Sequence, residues 1–183
     1  MKYPFDIDKS AQCAHFFADR AGGEIEVLKL VKLMYLADRR SFERRQVPIV
    51  GGHYYSLKHG PVTSEVLDLI NDGTPQGQSP WERLISDRAN HKVAAAAKKE
   101  SYDALAPSEL KILNEVWDDF GSLDQWALVD WTHKHCEEWA DPNGGRGDIN
   151  ARKLAEAFAW NPSEVEAFLE DMESANRIHS LLN

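Results

Sequence analysis

The sequence predicts a mainly α fold: a compact helical domain around one central buried helix, with a small antiparallel β element. Eight of the ten residues in Leu28–Ala37 are apolar, and a soluble helix without a wide polar face usually lies inside a core. The second half repeats apolar residues at helical spacing, most clearly in Pro107–Phe120. One aromatic segment, His53–Leu57, instead has the composition of a strand.

The elements of the first half follow from capping and breaking residues. Gly22-Gly23 ends the first predicted helix, and Pro48 prevents the central helix from continuing. The predicted order is a helix from Asp8 or Ser10 to Ala21, the central helix from Glu24 to Arg45, a strand at His53–Leu57, a helix that Pro61 opens and that ends before Gly73, and a loop from Thr74 to Pro80.

The second half is predicted to contain four helices. Pro107 begins the first and Gly121 stops it, and Ser122 with Gln125 has the spacing of a capping box for the second. A third helix follows at Asn150–Trp160. Asn161, Pro162 and Glu164 then give the N-terminus of the last. With 183 residues the chain is predicted to form a single domain over 1–183, including the C-terminal helices at about 150–183.

The net charge of −9 is unevenly distributed. Residues 1–100 carry +2 and residues 101–183 carry −11. The acidic half argues against wrapping nucleic acid, because phosphate repels it, and it is compatible with a basic protein partner. Solubility alone also explains the charge. The only basic run, Arg39, Arg40, Arg44 and Arg45, is typical of a solvated helix end, and we expect no direct contact with nucleic acid.

The sequence predicts a cytoplasmic protein without a membrane segment. No apolar run approaches the ~20 residues that span a bilayer. Asp6 and Asp8 stand where a signal peptide needs an apolar region. Cys13 and Cys136 are too few for a disulfide framework and are predicted to be core residues.

Histidines at two places in the sequence are candidates for metal binding or catalysis. His133, His135 and Cys136 contain zinc-ligand atoms, yet their spacing matches no common zinc motif, so no metal is predicted. His59 lies on a turn, but no nucleophile motif accompanies it, and we expect no enzymatic activity. Asp38 faces the core side of the central helix and is the predicted hydrogen-bonding partner of His59. No phosphate-binding or dinucleotide-binding motif occurs, so no cofactor is predicted.

The aromatic strand is the predicted partner-binding surface. Tyr54 and Tyr55 are adjacent, so their side chains point to opposite faces of a sheet, and one is expected in the core. The predicted contact residues are His53, Tyr54, Tyr55 and Lys58, since tyrosine is enriched at interface centres. The alternative is that the helix at Glu100–Phe120 covers both faces.

Three motifs in this order resemble the Panacea domain family, the SocA-like antitoxin domain. They are KLVKLMYLADR, then Pro48-Ile49, then HYYSLKHGPV, and Thr132-His133 followed by Trp139 fits the C-terminal pattern. The resemblance implies structural roles for Asp38, His59, Gly60, Pro61, Thr132, His133 and Trp139. It also implies a second strand at His91–Ala97 that pairs with His53–Leu57. Arg45-Gln46-Val47 departs from the family pattern, which often has Gly before the Pro.

The resemblance implies a small bacterial or phage protein that neutralises a toxin by direct binding. An antitoxin with a cognate, basic protein toxin is therefore the first functional hypothesis. The second is a proteolytic adaptor that delivers a bound partner to a protease, as SocA-like members suggest. The third, from a different class, is a hydrolase that uses His59 or His133.

Overall fold

The computed structural model describes residues 3–73, 79–96 and 101–182, and the fold is given for these residues. Within them the chain forms eight helices and five short strands. In chain order these are α1 (Ile7–Arg20), β1 (Glu24–Glu26), α2 (Val27–Arg45), β2 (Tyr54–Leu57), β3 (Gly60–Thr63), α3 (Ser64–Asp72), α4 (Pro80–Leu84), β4 (Lys92–Ala94), α5 (Pro107–Phe120), α6 (Gln125–His135), β5 (Gly147–Ile149), α7 (Ala151–Ala157) and α8 (Pro162–Leu182). The prediction of a mainly α fold with a minor antiparallel β part is confirmed.

The central helix α2 lies in the middle of the core, as its apolar sequence predicts. It contacts α1, α5, α6 and β3, and it is buried along most of its length. It starts at Val27 rather than Glu24, because Glu24–Glu26 forms β1 instead. It ends at Arg45, where Gln46 adopts a left-handed conformation with φ of 60°. That conformation closes the helix before Pro48 is reached.

The larger sheet has the strand order β3-β2-β5, with antiparallel pairing throughout. Alternation along β2 buries Tyr54 and Ser56 and leaves Tyr55 and Leu57 half-exposed. The sheet packs on α2 through β3. Because β5 is the third strand, residues far along the chain are joined to the hairpin that follows the central helix.

The prediction that Pro61 opens a helix is wrong. Pro61 lies in β3 opposite Ser56, and α3 begins only at Ser64. Lys58 and His59 form the hairpin turn between β2 and β3. Proline lacks a backbone N–H, and β3 is an edge strand where that donor is not needed by a further neighbour.

The second predicted strand exists within His91–Ala97, as β4, but its predicted partner is wrong. β4 pairs with β1 in a separate two-stranded sheet, with Ile25 opposite Val93. The reason is that β2 is already paired on both edges, by β3 and β5. Ala97 and most of the predicted loop, residues 74–78, lie outside the described residues.

The helices of the second half are confirmed, with small changes at their caps. Asp124, not Ser122, caps α6 by accepting from the backbone N–H groups of Trp126 and Ala127. Asp6 likewise replaces the predicted Asp8 or Ser10 as the cap of α1. The Phe168 ring of α8 packs edge-on against Phe42 of α2, with centroids 6.3 Å apart, which joins the last helix to the core. None of the described helices is long and apolar enough to cross a membrane.

Candidate functional site

A lysine side chain lies fully buried on the central helix. Lys32 has an exposed fraction of 0%, and its Nζ donates a 2.8 Å hydrogen bond to the carbonyl oxygen of Pro61. No described carboxylate forms an ion pair with it. Burial therefore lowers the pKa of Lys32 to about 7, because removal from water disfavours the ammonium form.

Gly60 lets strand β3 approach this lysine closely. Its φ is +98°, and a Cβ there would lie 2.7 Å from Oγ1 of Thr132 and 3.1 Å from Cε of Lys32. Thr132 is itself fully buried in α6 and donates its hydroxyl to the carbonyl of Val129 at 2.9 Å. Only glycine fits both the backbone conformation and the space, which explains its place in the motif.

His133 and Trp139 form a stacked pair beside the same lysine. Their rings are 3.9 Å apart at 11°, and the indole Nε1 of Trp139 donates to the carbonyl of Leu57 at 3.0 Å. Burial first, and then the charge of Lys32, lower the pKa of His133. Nε2 of His133 is buried and has no hydrogen-bond partner among the described atoms.

These residues form one group, which we call the motif cluster: Lys32, Gly60, Pro61, Thr132, His133 and Trp139. The structural role predicted for its motif residues stays a prediction, but the fold brings them together. They come from α2, the β2-β3 hairpin, the end of α6 and the segment that follows α6, and Lys32 bonds the hairpin directly through the carbonyl of Pro61. The structure adds Lys32, which the family motif residues alone did not indicate.

Asp38 does not pair with His59, so that prediction is wrong. Its carboxylate instead accepts from the backbone N–H groups of Ile49, Val50 and Gly51 at 2.8 to 3.1 Å, and from the hydroxyl of Tyr54 at 2.8 Å. The carboxylate is buried, as predicted, and burial raises the pKa of Asp38 to about 6 against the opposing effect of these bonds. Asp38 therefore fixes the loop that leads from the central helix into β2.

His59 is exposed at the hairpin tip rather than bonded to the core. Its ring meets the edge of Trp126, with centroids 5.5 Å apart. Trp126 lies in the first turn of α6, and 55% of its surface is exposed, the largest exposed fraction among the big apolar side chains described. The sequence does not single out this residue, because its exposure depends on how α6 packs in the folded chain.

A cavity of about 700 Å³ lies between the central helix, the hairpin and α6. We call it the Trp126 pocket. It is lined by Val27, Leu28, Val31, Lys32, Leu57, Lys58, His59, Val62, Leu67, Arg88, His91, Gln125, Trp126 and Gly145. Most of its walls are aliphatic, and Lys32 joins it to the motif cluster. Volume and lining are those of a ligand-binding cleft.

The four predicted partner-binding residues lie in three places. Lys58 is exposed and lines the Trp126 pocket. His53 and Tyr55 stack on each other at 6.2 Å, with the guanidinium of Arg146 over the tyrosine ring. Tyr54 is the core member of the tyrosine pair, at 4% exposure. A role of these residues in partner binding stays a prediction.

Arginines at the end of the central helix form ion pairs with carboxylates from the second half of the chain. Arg40 pairs with Asp119 at 2.6 Å, and Arg44 pairs with Glu115. Arg39 bonds Glu138 at 2.8 Å, a buried carboxylate that also accepts from Tyr35. These pairs give the arginine run a structural role between helices.

His133, His135 and Cys136 do not come together as a zinc site. The His135 ring lies 4.7 Å from that of Trp131, whereas His133 stacks on Trp139. Cys136 is buried, and burial raises the pKa of its thiol to about 12. Across residues 3–73, 79–96 and 101–182 no three His, Cys, Asp or Glu side chains come together as a metal site.

A known protein family matches the part of the chain that contains the motif cluster. The family model described as "Antitoxin SocA-like, Panacea domain" matches residues 30–140, which is more than half of the chain and contains the whole cluster. Searches of curated proteins and of solved structures returned no match. The chain therefore belongs to the SocA-like antitoxin family with a Panacea domain.

Proposed function

We propose that this protein is an antitoxin that neutralises a cognate protein toxin by binding it directly through the surface around the Trp126 pocket. The observation that carries the proposal is the 55% exposure of Trp126 at the mouth of a largely aliphatic cavity. Tryptophan is among the residues most enriched at interface hot spots. Large apolar surface next to a cavity is typical of a site that a partner covers.

The proposed partner is basic on the side that meets the acidic part of this chain. Helix α8 carries five exposed carboxylates, at Glu164, Glu166, Glu170, Asp171 and Glu173. Complementary charge raises the association rate more than the affinity. We expect the association rate to fall at least tenfold between 50 and 300 mM salt (order of magnitude), as measured by stopped flow. A rate that is independent of salt would contradict steering by this helix.

The proposed mode of action is binding without catalysis. General acid-base or nucleophilic catalysis by histidine needs an orienting acid or a nucleophile within hydrogen-bond reach. Among the described residues, the rings of His59 and His133 contact tryptophans and bond no such group. A hydrolase using either histidine therefore finds no support in the arrangement of its neighbours.

The proposal is tested by co-expression with the adjacent genes. Each neighbouring gene is induced alone, with this protein, and with its Trp126→Ala variant, and growth is followed. We expect one neighbour to arrest growth, the wild-type protein to restore it, and the two proteins to co-purify in a fixed ratio. Rescue without a complex, together with a falling level of the neighbour, would instead support the proteolytic adaptor. Absence of both rescue and complex for every neighbour would refute the proposal.

A further inference from the structure

The residues that line the Trp126 pocket have one sign of charge. Lys32, Lys58, His59, Arg88 and His91 are cationic or can be protonated, and no Asp or Glu is among the described residues of the lining. The guanidinium of Arg88 is held by the oxygen of Asn71 and by His91, and no carboxylate of the described part of the chain pairs with it. The pocket therefore favours a negatively charged group.

Lys32 adds a buried cationic group to the wall of the pocket. The ammonium of Lys32 has three N–H donors, and among the described residues one acceptor is bonded to it, the carbonyl of Pro61. A buried charge is normally paired, because loss of hydration is unfavourable. Because Lys32 has no exposed surface, a carboxylate in the pocket would be attracted to its charge through the pocket wall, where solvent screening is weak, rather than by direct contact.

The rest of the pocket requires an apolar group beside that charge. Its walls are formed by aliphatic side chains of the central helix, the hairpin and α3, namely Val27, Leu28, Val31, Leu57, Val62 and Leu67. At the mouth, Trp126 extends the apolar surface beyond the cavity. Because Trp126 both lines the cavity and is half exposed, a segment of a protein can fill the cavity and cover the indole at the same time.

We propose that the Trp126 pocket takes an acidic and apolar segment of the toxin, with an Asp or Glu side chain directed to Arg88 and to the part of the wall that covers Lys32, and a neighbouring apolar side chain against the aliphatic walls. The donors are side chains rather than a nest of backbone N–H groups, which is the mode used for acidic segments and not for chain termini. This inference rests on the proposed function and names the part of the partner that the pocket recognises.

The test uses blocked pentapeptide pools as probes of the full chain. In the acidic pool, glutamate stands between two variable apolar residues, and in the matched neutral pool glutamine replaces it. Binding is followed by the indole N–H signal of Trp126 in the NMR spectrum, assigned with Trp126→Phe. We expect the acidic pool to bind at least tenfold more tightly than the neutral pool. Equal binding of both pools, or binding of decanoate with neither peptide pool, would overturn the proposal.

Two variants connect the peptide result to the pocket. Lys32→Met and Arg88→Gln should each weaken binding of the acidic pool at least fivefold and leave binding of the neutral pool unchanged. Arg88 is exposed, so its variant tests the proposal even where Lys32→Met alters folding. Lys111→Met, an exposed lysine of α5, is the control for net charge and should change neither pool. Unchanged binding of the acidic pool by both pocket variants would refute the inference.

The growth assay separates this inference from the antitoxin proposal. If the wild-type protein, Lys32→Met and Arg88→Gln all rescue growth and bind the toxin equally, the antitoxin function stands and the pocket inference fails. If the wild-type protein binds no neighbour, the antitoxin proposal fails, and with it the assignment of the segment to a toxin. The peptide titration then still decides whether the pocket prefers an acidic segment.

Discussion

Replacement of Lys32 by methionine should stabilise the protein at low pH and slightly destabilise it at high pH. Lys32 is fully buried, and burial lowers its pKa from 10.5 to about 7. At ~1.4 kcal/mol per pKa unit, this corresponds to about 5 kcal/mol of lost stability below pH 7, where both the folded and unfolded chains bind the proton.

The sign of the pH dependence follows from proton binding. Between about pH 7 and 10.5 the unfolded chain keeps the lysine proton and the folded chain has lost it. The free energy of unfolding of the wild-type protein therefore rises with pH through that window. Above the window, burial of Lys32 no longer lowers the stability, because the lysine is neutral in both states. Methionine has a similar length, carries no charge and shows no such change.

Methionine also removes the hydrogen bond to the carbonyl of Pro61, which costs about 1 kcal/mol. Lys32→Met should thus be more stable than wild type by about 4 kcal/mol at pH 6, a rise in Tm on the order of 10 °C. At pH 10 or higher it should approach or fall about 1 kcal/mol below wild type.

Urea denaturation at pH 6, 8 and 10 measures the difference between the two proteins. Other titrating groups are common to both and cancel in that difference. Lys111→Met, at an exposed position, should stay within about 0.5 kcal/mol of wild type throughout. A Lys32→Met protein that is less stable at pH 6, or a difference that does not change with pH, would refute the reasoning about the buried charge.

Three further substitutions test the close approach, the buried carboxylate and the exposed surface. Gly60→Ala should lower the free energy of unfolding by about 2 kcal/mol more than Gly144→Ala, since both have φ near +97° but only the first meets other atoms. Equal losses in urea denaturation would argue against that contact. Asp38→Asn should cost about 2 to 4 kcal/mol, because its amide group turns a donor toward backbone N–H groups, and an unchanged thermal melt would contradict this. Trp126→Ala should change stability by less than about 1 kcal/mol yet weaken toxin binding at least tenfold by calorimetry, whereas Val47→Ala, at a similarly exposed apolar position, should leave binding unchanged.

The two wrong strand predictions have the same cause. Local signals identified β2 and the strand within His91–Ala97, but partners are chosen by the whole fold. Ile149 takes the second edge of β2 from a position almost a hundred residues away. Pro61 predicts a helix start on local grounds, because proline is frequent at the first position of helices. An edge strand accepts it equally well, and only the pairing with β2 shows which applies.

The sequence motif predicts some residues of the site, but not those whose role depends on contacts formed by the whole fold. The motif gave Gly60, Thr132, His133 and Trp139, and the structure brings them together through direct contacts. The burial of Lys32 is not evident from the sequence, because a lysine in an apolar helix usually extends its ammonium to solvent. One signal was present: it lies within an almost unbroken apolar run, where a side chain has few routes to water.

The sequence by itself determined the buried central helix, the helical second half and the membership of the family, because these depend on periodicity, caps and a local motif order. Tertiary structure alone decided which strands pair, that Asp38 holds a loop instead of His59, and that Trp126 borders a cavity with a buried lysine in its wall. The physical reason is distance along the chain. Hydrogen-bond partners, burial and the sign of charge around a cavity are set by residues that are remote in sequence and adjacent only after folding.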